Sequence, residues 1–282
     1  MRIGVTAFLT DRTVSPTQLA IDAEERGYYS LYLPEHTHLP VAEARPPALV
    51  AGVEIGDYQR SLDPWVALAA AAAVTRRIRL GTGVCLVAQH DPIVLAKQVA
   101  TLDHLSAGRV VLGAGYGWNR SEAADHGLDF GLRREVAREK LLCVQALWRD
   151  DPAQFHGRHV ELPPCHSWPK PLQPGRVRTL IGAAAGPRTF AAVAELADGW
   201  MPIGGAGVAA ALPALRAAAD DAGRPPKSVE VVVFGAIPEV AKLAYYQEIG
   251  VDEVVLRIPT LSDAVAKKAL DDGARSMASL EA

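Results

Sequence analysis

Val110-Val111-Leu112-Gly113-Ala114-Gly115-Tyr116-Gly117-Trp118-Asn119 is a short β-branched run that opens into glycines, and its reading decides the fold. Ahead of a helix, such a stretch imitates the dinucleotide-binding fingerprint of an open, doubly wound sheet. The spacing of the third glycine is wrong for that motif. The acidic residues about 20 positions on, Glu135 and Glu139, fall inside a predicted helix instead of ending a second strand. The dinucleotide-binding reading therefore fails, and the stretch is read as one strand followed by a glycine-rich loop, its architecture left to the count of strands along the chain.

Outward from it, Val-, Ile- and Leu-rich runs alternate with helical patterns from end to end, as in parallel strands joined by helical crossovers. The predicted strands are Ile3–Phe8, Ser30–Leu33, Ile78–Cys85, Val110–Gly113, Thr179–Gly182, Trp200–Ile203, Val229–Phe234 and Glu253–Ile258. Ser15-Pro16-Thr17-Gln18, Asp63-Pro64 and Asp91-Pro92 each join an N-cap residue to a proline at the first helical position. Further helices are read over Arg133–Trp148, Pro187–Ala197, Val208–Ala222, Pro238–Glu248 and Ser262–Ala278. Eight strand-then-helix units without a linker between halves give the fold class: α/β, one (β/α)8 TIM barrel over residues 1–282 with an insertion after the fourth helix. Two segments exceed ordinary connections, 34–62 after the second strand and the proline-dense 150–177 around Trp168. Both are expected to shape a binding site.

Composition narrows the function classes. A formal net charge of −3, with no block of like charge, lacks the electrostatic footprint of a nucleic-acid binder. Cys85, Cys143 and Cys165 are odd in number and show no CxxC spacing, so neither a disulfide framework nor a thiolate metal clamp is expected, and a reducing cytoplasm is. The N-terminal apolar run is cut off by Asp11 and Arg12, too soon for a secretory signal. The Ala-rich stretches from Pro64 and Val208 read as ordinary helices, the first too short to span a membrane and the second interrupted by Arg216, Asp220 and Asp221.

In a barrel of this kind functional groups gather where strands end. The second strand ends in Pro34-Glu35-His36-Thr37-His38, and the third, fourth and fifth in Gly81-Thr82-Gly83-Val84, Gly113 to Asn119 and Gly182-Ala183-Ala184-Ala185-Gly186-Pro187-Arg188-Thr189. Three glycine-rich loops on one face suit a flat, phosphate-bearing cofactor, because backbone can approach it closely and helix N-terminal amides attract anions. An HxH metal site at His36 and His38 would need further ligands, and the fifth, sixth and eighth strand ends offer no His or Asp; no metal is expected. His36 is the candidate acid/base, since imidazole titrates near operating pH. His90, just before Asp91-Pro92, is a second polar candidate, whereas His104, His126, His156 and His159 show no evident site. No GxSxG elbow occurs, and Cys85 is read as a small buried hydrophobe.

These residues resemble the bacterial luciferase-like family of flavin- and deazaflavin-dependent oxidoreductases. The resemblance spans nearly the whole chain: Glu35-His36, Ile78 to Val84, Leu102-Asp103-His104-Leu105-Ser106-Ala107-Gly108-Arg109, Gly113 to Trp118, Glu122, Gly127 and Arg133 ahead of Glu139, Phe155-His156-Gly157, Pro169-Lys170-Pro171-Leu172-Gln173 and Ala197-Asp198-Gly199-Trp200. It implies a (β/α)8 barrel with a cofactor across its C-terminal mouth, the ring facing a non-proline cis peptide at Gly83-Val84. The cofactor-binding set would be Glu35, Gly83, Val84, Gly115, Tyr116, Gly117, Asn119, Gly182, Ala183, Ala184, Gly186 and Arg188, with Thr189 near the phosphate. Within the family the chain is most similar to the branch assigned to coenzyme F420, where the enzyme places a substrate carbon opposite the ring and supplies a proton donor or acceptor, here His36. Sugar-phosphate-oxidising members carry a Glu where this chain has Trp118, which argues against that substrate. An FMN-dependent two-component monooxygenase is the alternative, with a non-catalytic deazaflavin carrier a third. The resemblance also implies a small-molecule substrate and, frequently, a homodimer.

Overall fold

The computed structural model describes residues 1–41, 55–259 and 262–281; residues 42–54 of the long segment after the second strand, and Thr260 at the end of the eighth, lie outside the described residues. Eight parallel strands close a barrel: β1 (Arg2–Thr6), β2 (Ser30–Leu33), β3 (Arg79–Thr82), β4 (Val110–Gly115), β7 (Arg178–Gly182), β8 (Gly199–Trp200), β9 (Glu230–Ala236) and β10 (Glu253–Arg257). Around the ring the order is β1-β10-β9-β8-β7-β4-β3-β2. β5 (Ala153–His156) and β6 (Glu161–Cys165) form a separate antiparallel hairpin inside the expected insertion. The fold is the (β/α)8 barrel that the strand count predicts.

The helices are α1 (Pro16–Glu25), α2 (Ile55–Arg60), α3 (Pro64–Val74), α4 (Pro92–Leu105), α5 (Arg120–Asp125), α6 (Arg133–Arg149), α7 (Pro187–Leu196), α8 (Val208–Asp221), α9 (Val240–Glu248) and α10 (Asp263–Glu281). The cap-plus-proline starts work as read. Ser15 Oγ accepts from the Gln18 N–H (3.2 Å), Asp63 Oδ1 from Val66 (2.8 Å), and Asp91 Oδ1 from Ile93 and Val94 (2.9 and 3.0 Å).

Several boundaries move for local reasons. β3 ends at Thr82, just ahead of the cis Gly83-Val84 peptide, and Cys85 rejoins the ladder through an isolated bridge to Ala114. β8 is only two residues long, since Pro202 has no N–H to give; Ile203 bridges back to Phe234. The short α2 and α5, and a 3-10 turn at Val87–Gln89, were not legible as periodic patterns.

The barrel interior is filled in layers. At the N-terminal end Arg178, Glu230, Glu253 and Ser30, each the first or nearly the first residue of its stave, form a polar plug. Above it lie Tyr32, Val111, Leu180, Met201, Val232 and Val255, all fully buried, with Val84 and Phe234 packed on top. Those last two side chains are the floor of the mouth.

The 150–177 insertion does not shape the mouth, contrary to expectation. Its 170–173 stretch is fastened towards the opposite end: Asp103 accepts from the Leu172 and Gln173 N–H groups (2.8 and 3.1 Å) and from Gln173 Nε2 (2.7 Å), and Gln173 Nε2 also reaches the Val110 carbonyl at the start of β4 (2.9 Å); the hairpin tip lies along α6, where Glu139 accepts the Arg158, His159 and Val160 N–H groups. Lys170 Nζ donates to the carbonyls of Leu147 and Asp150 (2.9 and 2.5 Å). Two of the stretches that carry the family resemblance, around Asp103 and around Gln173, are thus a structural clasp.

Candidate active site at the barrel mouth

A cavity of about 430 Å3 opens above Val84 and Phe234, within the usual range for a small-molecule site. His36, Glu35 and Pro34 after β2, Gly83, Val84 and Leu86 after β3, Tyr116 to Trp118 after β4, and Gly182, Ala183 and Ala184 after β7 all line it. The opposite wall is Thr6, Ala7 and Phe8 after β1, Ile203 and Gly204 after β8, and Phe234 to Ile237 from β9. Most of this surface is apolar, so the few polar groups carry the chemistry.

His36 is the best organised of them. Its Nδ1 lies 2.9 Å from Glu122 Oε2, and Glu122 Oε1 accepts the Thr37 N–H at 3.1 Å. Glu122 is fully buried. With Glu122 Oε2 accepting, Nδ1 is the donor, which leaves Nε2 as the ring nitrogen without a partner among the described residues. Aromatic edges fix the imidazole plane: Tyr58 at 5.1 Å and Trp118 at 5.6 Å between centroids, with Phe8 against Tyr58 at 4.8 Å. Burial, with the Asp57 charge, pushes the Tyr58 phenol up to about 12, so Tyr58 is a neutral wall.

Glu122 stood in the sequence only as part of the resemblance, without a role. A signal for it existed: Asn119-Arg120-Ser121-Glu122 reads as a capping box, and Asn119 Oδ1 does accept the Glu122 N–H at 2.9 Å. The box is half used. Its glutamate turns away from the helix start to hold His36 and Thr37.

Glu35 also faces the cavity, but its carboxylate is committed to the loop after β3. Oε2 accepts the Leu86 N–H at 2.5 Å and Oε1 meets His90 Nε2 at 2.9 Å. Burial works against the His90 imidazolium, yet the hydrogen bond and charge of Glu35 outweigh it and its pKa lies above the ordinary histidine value. Cys85 is fully buried beside Glu35; desolvation, then the carboxylate, pushes its thiol well up, in keeping with an inert hydrophobe. Glu35, Cys85 and His90 are the one group of metal-type donors gathered within 4.8 Å among the described residues, and the carboxylate is already bonded on both oxygens. His38 turns outward to Asp125 (2.9 Å) and Thr37, so the HxH pair does not converge.

Of the cofactor residues inferred from sequence, Glu35, Gly83, Val84, Tyr116, Gly117, Gly182, Ala183 and Ala184 come together on the cavity wall. Gly115 lies just beneath, where a Cβ would strike Val84, as it would at Gly182, while one at Gly83 would strike Phe234. These glycines make room for the floor as much as for a ligand. Asn119 is buried as the cap of α5, Gly186 stands at the start of α7, and Arg188 is exposed in its first turn; none of the three lines the cavity. The cations that do are Arg133, Arg134, Lys242 and Arg257, and none forms an ion pair with a described carboxylate. Arg133 Nε is buried without a hydrogen-bond partner, its guanidinium 3.8 Å over Phe130, and Arg134 lies 4.3 Å over Tyr116. Burial, then the Arg134 and Arg120 charges, holds the Arg133 pKa below its ordinary value. An orphaned guanidinium N–H beside a second arginine and a small-residue loop fits the anionic tail of a phosphate-bearing cofactor.

No described helix is long and apolar enough to cross a membrane. The family model for luciferase-like monooxygenases matches residues 15–242. Rv0953c, an uncharacterized protein of Mycobacterium tuberculosis (strain ATCC 25618 / H37Rv), is 43% identical over 280 residues, covering 94% of this chain and 95% of its own length. Among solved structures, the monooxygenase RslO1 from Streptomyces bottropensis gives a TM-score of 0.81 at 20% identity and covers 100% of both chains. An F420-dependent secondary alcohol dehydrogenase, in complex with an F420-acetone adduct, gives 0.79 at 17% identity, covering 99% of this chain and 98% of its own. At these identities the structural likeness is one of fold. The family model, matched along most of the length that builds the barrel and its mouth, makes this chain a member of the luciferase-like monooxygenase family, a family of oxidoreductases.

Proposed function

We propose that the protein is an F420-dependent oxidoreductase that moves a hydride between the deazaflavin and a small organic alcohol or ketone. The observation that carries this reading is the buried Glu122–His36 pair, 2.9 Å apart, on the wall of an otherwise apolar cavity. When bound, the cofactor supplies the hydride acceptor or donor. In the oxidising direction His36 Nε2 takes the proton of the substrate hydroxyl, and Glu122, holding Nδ1–H, balances the imidazolium that results. In the reducing direction the same nitrogen returns it. Trp118, Tyr58 and Phe8 exclude water from around the imidazole. Arg133 and Arg134, with the loop Gly182-Ala183-Ala184, are assigned to the cofactor's anionic tail. The Ala183 carbonyl of that loop is anchored by the Trp200 indole N–H at 2.9 Å.

FMN shares the tricyclic ring and a phosphate, and a monooxygenase among the structural neighbours keeps FMN-dependent oxygenation as the competing reading. Three free cysteines favour the reducing cytoplasm. A homodimer is favoured by α3, Pro64-Trp65-Val66-Ala67-Leu68-Ala69-Ala70-Ala71-Ala72-Ala73-Val74, whose outward side leaves Val66 and Val74 exposed amid alanines.

Titration of the purified chain with F420 and with FMN, followed by fluorescence, tests the cofactor. Saturable F420 binding is expected; tight FMN binding with no response to F420 overturns the proposal. His36→Ala is expected to keep F420 affinity and lose about 10²- to 10⁴-fold in turnover across a panel of small ketones and secondary alcohols. A wild-type protein inert on that panel favours a carrier.

A further inference from the structure

Two pairs of cations line the cavity, and only one of them faces the small-residue loop assigned to the cofactor tail. Arg133 and Arg134 begin α6, downstream of β4. Arg257 ends β10, opposite Thr6 of β1, and Lys242 lies in the first turn of α9 after β9. In the ring order β10 is four staves from β4, the diametrically opposed position. β2, which delivers His36, lies two staves from each. A cofactor anion held at Arg133 and Arg134 therefore leaves Lys242 and Arg257 on the far side of the imidazole.

Their placement runs against structural economy. Lys242 is the third residue of α9, where the helix dipole repels a cation; Glu239 at the N-cap is the nearest acid in the chain, yet it forms no ion pair with Lys242. Neither Lys242 nor Arg257 has a hydrogen bond or ion pair from its side chain to a described residue. The Arg257 charge reaches the cavity wall, since it acts on the Tyr58 phenol. The strand ends and loops after β8 and β9 add Ile203, Phe234, Ala236 and Ile237 to the cavity lining, side chains that cannot satisfy a charge. Two cations without a side-chain partner among the described residues, both lining one largely apolar cavity, are a donor set for an oxyanion.

We propose that the substrate is itself an anion, a small alcohol or ketone bearing a carboxylate or phosphate, with Lys242 and Arg257 holding that group while the carbinol or carbonyl carbon lies towards His36. This substrate class rests on the hydride-transfer reading above. The charged end would fix orientation and discriminate against neutral alcohols, whose binding leaves both cations without a partner.

The test uses the full chain, first saturated with F420 as judged by cofactor fluorescence, then titrated calorimetrically with inorganic phosphate and, separately, with 4-oxopentanoate. Saturable binding of at least one oxyanion is expected, weakened tenfold or more by Lys242→Gln and by Arg257→Gln. The Arg257→Lys variant is expected to retain part of it, and the exposed Lys227→Gln control all of it. F420 affinity is expected to stay within twofold in all four. Phosphate without carboxylate binding assigns a phosphate ester, and the reverse a carboxylic acid. The proposal is overturned if the loaded protein binds neither probe, if the Lys242 and Arg257 variants bind as wild type does, or if those variants lose F420 affinity tenfold, which would give these cations to the cofactor. Should F420 fail to bind at all, the same titration without it separates the two ideas: oxyanion binding that depends on Lys242 and Arg257, but not on Arg133→Gln, sustains the anion site while the F420 reading falls. Circular dichroism melts check folding, and Lys242→Gln is expected not to lower the midpoint, because it removes the clash with the helix dipole.

Discussion

The two ends of this barrel treat charge in opposite ways. At the N-terminal end Arg178 bonds Glu230 and reaches Glu253 at 3.0 Å; Glu253 takes the Ser30 hydroxyl at 2.5 Å, and Arg2 adds a second hold on Glu230 at 2.9 Å. Every one of these charges has an opposite within the plug. At the C-terminal mouth Arg133, Arg134, Lys242 and Arg257 line an apolar cavity without a described acid among their partners. Charge at one end is spent on closing the barrel, and at the other is left available for a ligand. The contrast separates residues that the fold needs from residues that a reaction needs.

Breaking the closed end is expected to have the largest effect. Arg178→Met leaves the fully buried Glu253 carboxylate without its cation and is predicted to cost about 3–5 kcal/mol in urea unfolding. Adding Glu253→Gln to that variant should recover part of the loss, because the stranded charge is removed; no recovery would show that Arg178 acts by packing alone. Neither change should alter F420 affinity of the folded fraction, since the plug lies beneath the layer of Tyr32 and Leu180.

The open end should respond in the inverse manner. Arg133→Gln is predicted to weaken F420 binding about tenfold, roughly 1.4 kcal/mol, with a smaller loss of about 1 kcal/mol in unfolding free energy, because Nη1 holds the Phe130 carbonyl at 2.7 Å while the buried Nε has no hydrogen-bond partner among the described residues. A fall in stability exceeding the loss in binding would make it a structural arginine and blur the contrast.

The smallest effects are in the pH dependence, and the two ends differ in sign. At the plug, burial alone would raise the Glu230 pKa, but Arg178 and Arg2 hold it below the ordinary 4.5, so its contribution is present above that value and fades as pH falls through the lower folded value. At the mouth, Glu35 overcomes the burial of His90 and holds its pKa above the ordinary 6.5. That contribution is full below 6.5 and is lost as pH rises through the folded value. Urea titrations across pH should show an acid arm that Arg178→Met flattens and a separate arm above pH 6.5 that His90→Gln flattens. A single arm removed by either variant would contradict this division.

Much of the molecule was legible in the chain. Ser15, Asp63 and Asp91 announced three helix starts, and the β-branched runs gave eight staves in the right order, because caps and strand alternation are properties of a few adjacent residues. His36 was legible too, as the histidine closest to the end of a barrel strand. Arg188 drew attention for the same local reason, beside a glycine-rich loop, yet it points to solvent while Arg133 and Arg134 line the cavity. A cation in the first turn of a helix runs against the dipole, and that signal in Arg133, Arg134 and Lys242 was available but outweighed by the glycines.

What the sequence determined alone is the periodic scaffold: strand count, crossovers, helix starts and the end of the barrel where chemistry gathers. Closure of the ring decided the rest. It brings Glu122 against His36 across 86 residues, seats the 170–173 stretch of the insertion against Asp103, and sets two pairs of cations after different staves of one cavity. The physical reason is range. Helix caps and alternation are fixed by neighbours in the chain, whereas the partner of a buried carboxylate or an unsatisfied guanidinium is whatever the eight-strand circuit carries to its side.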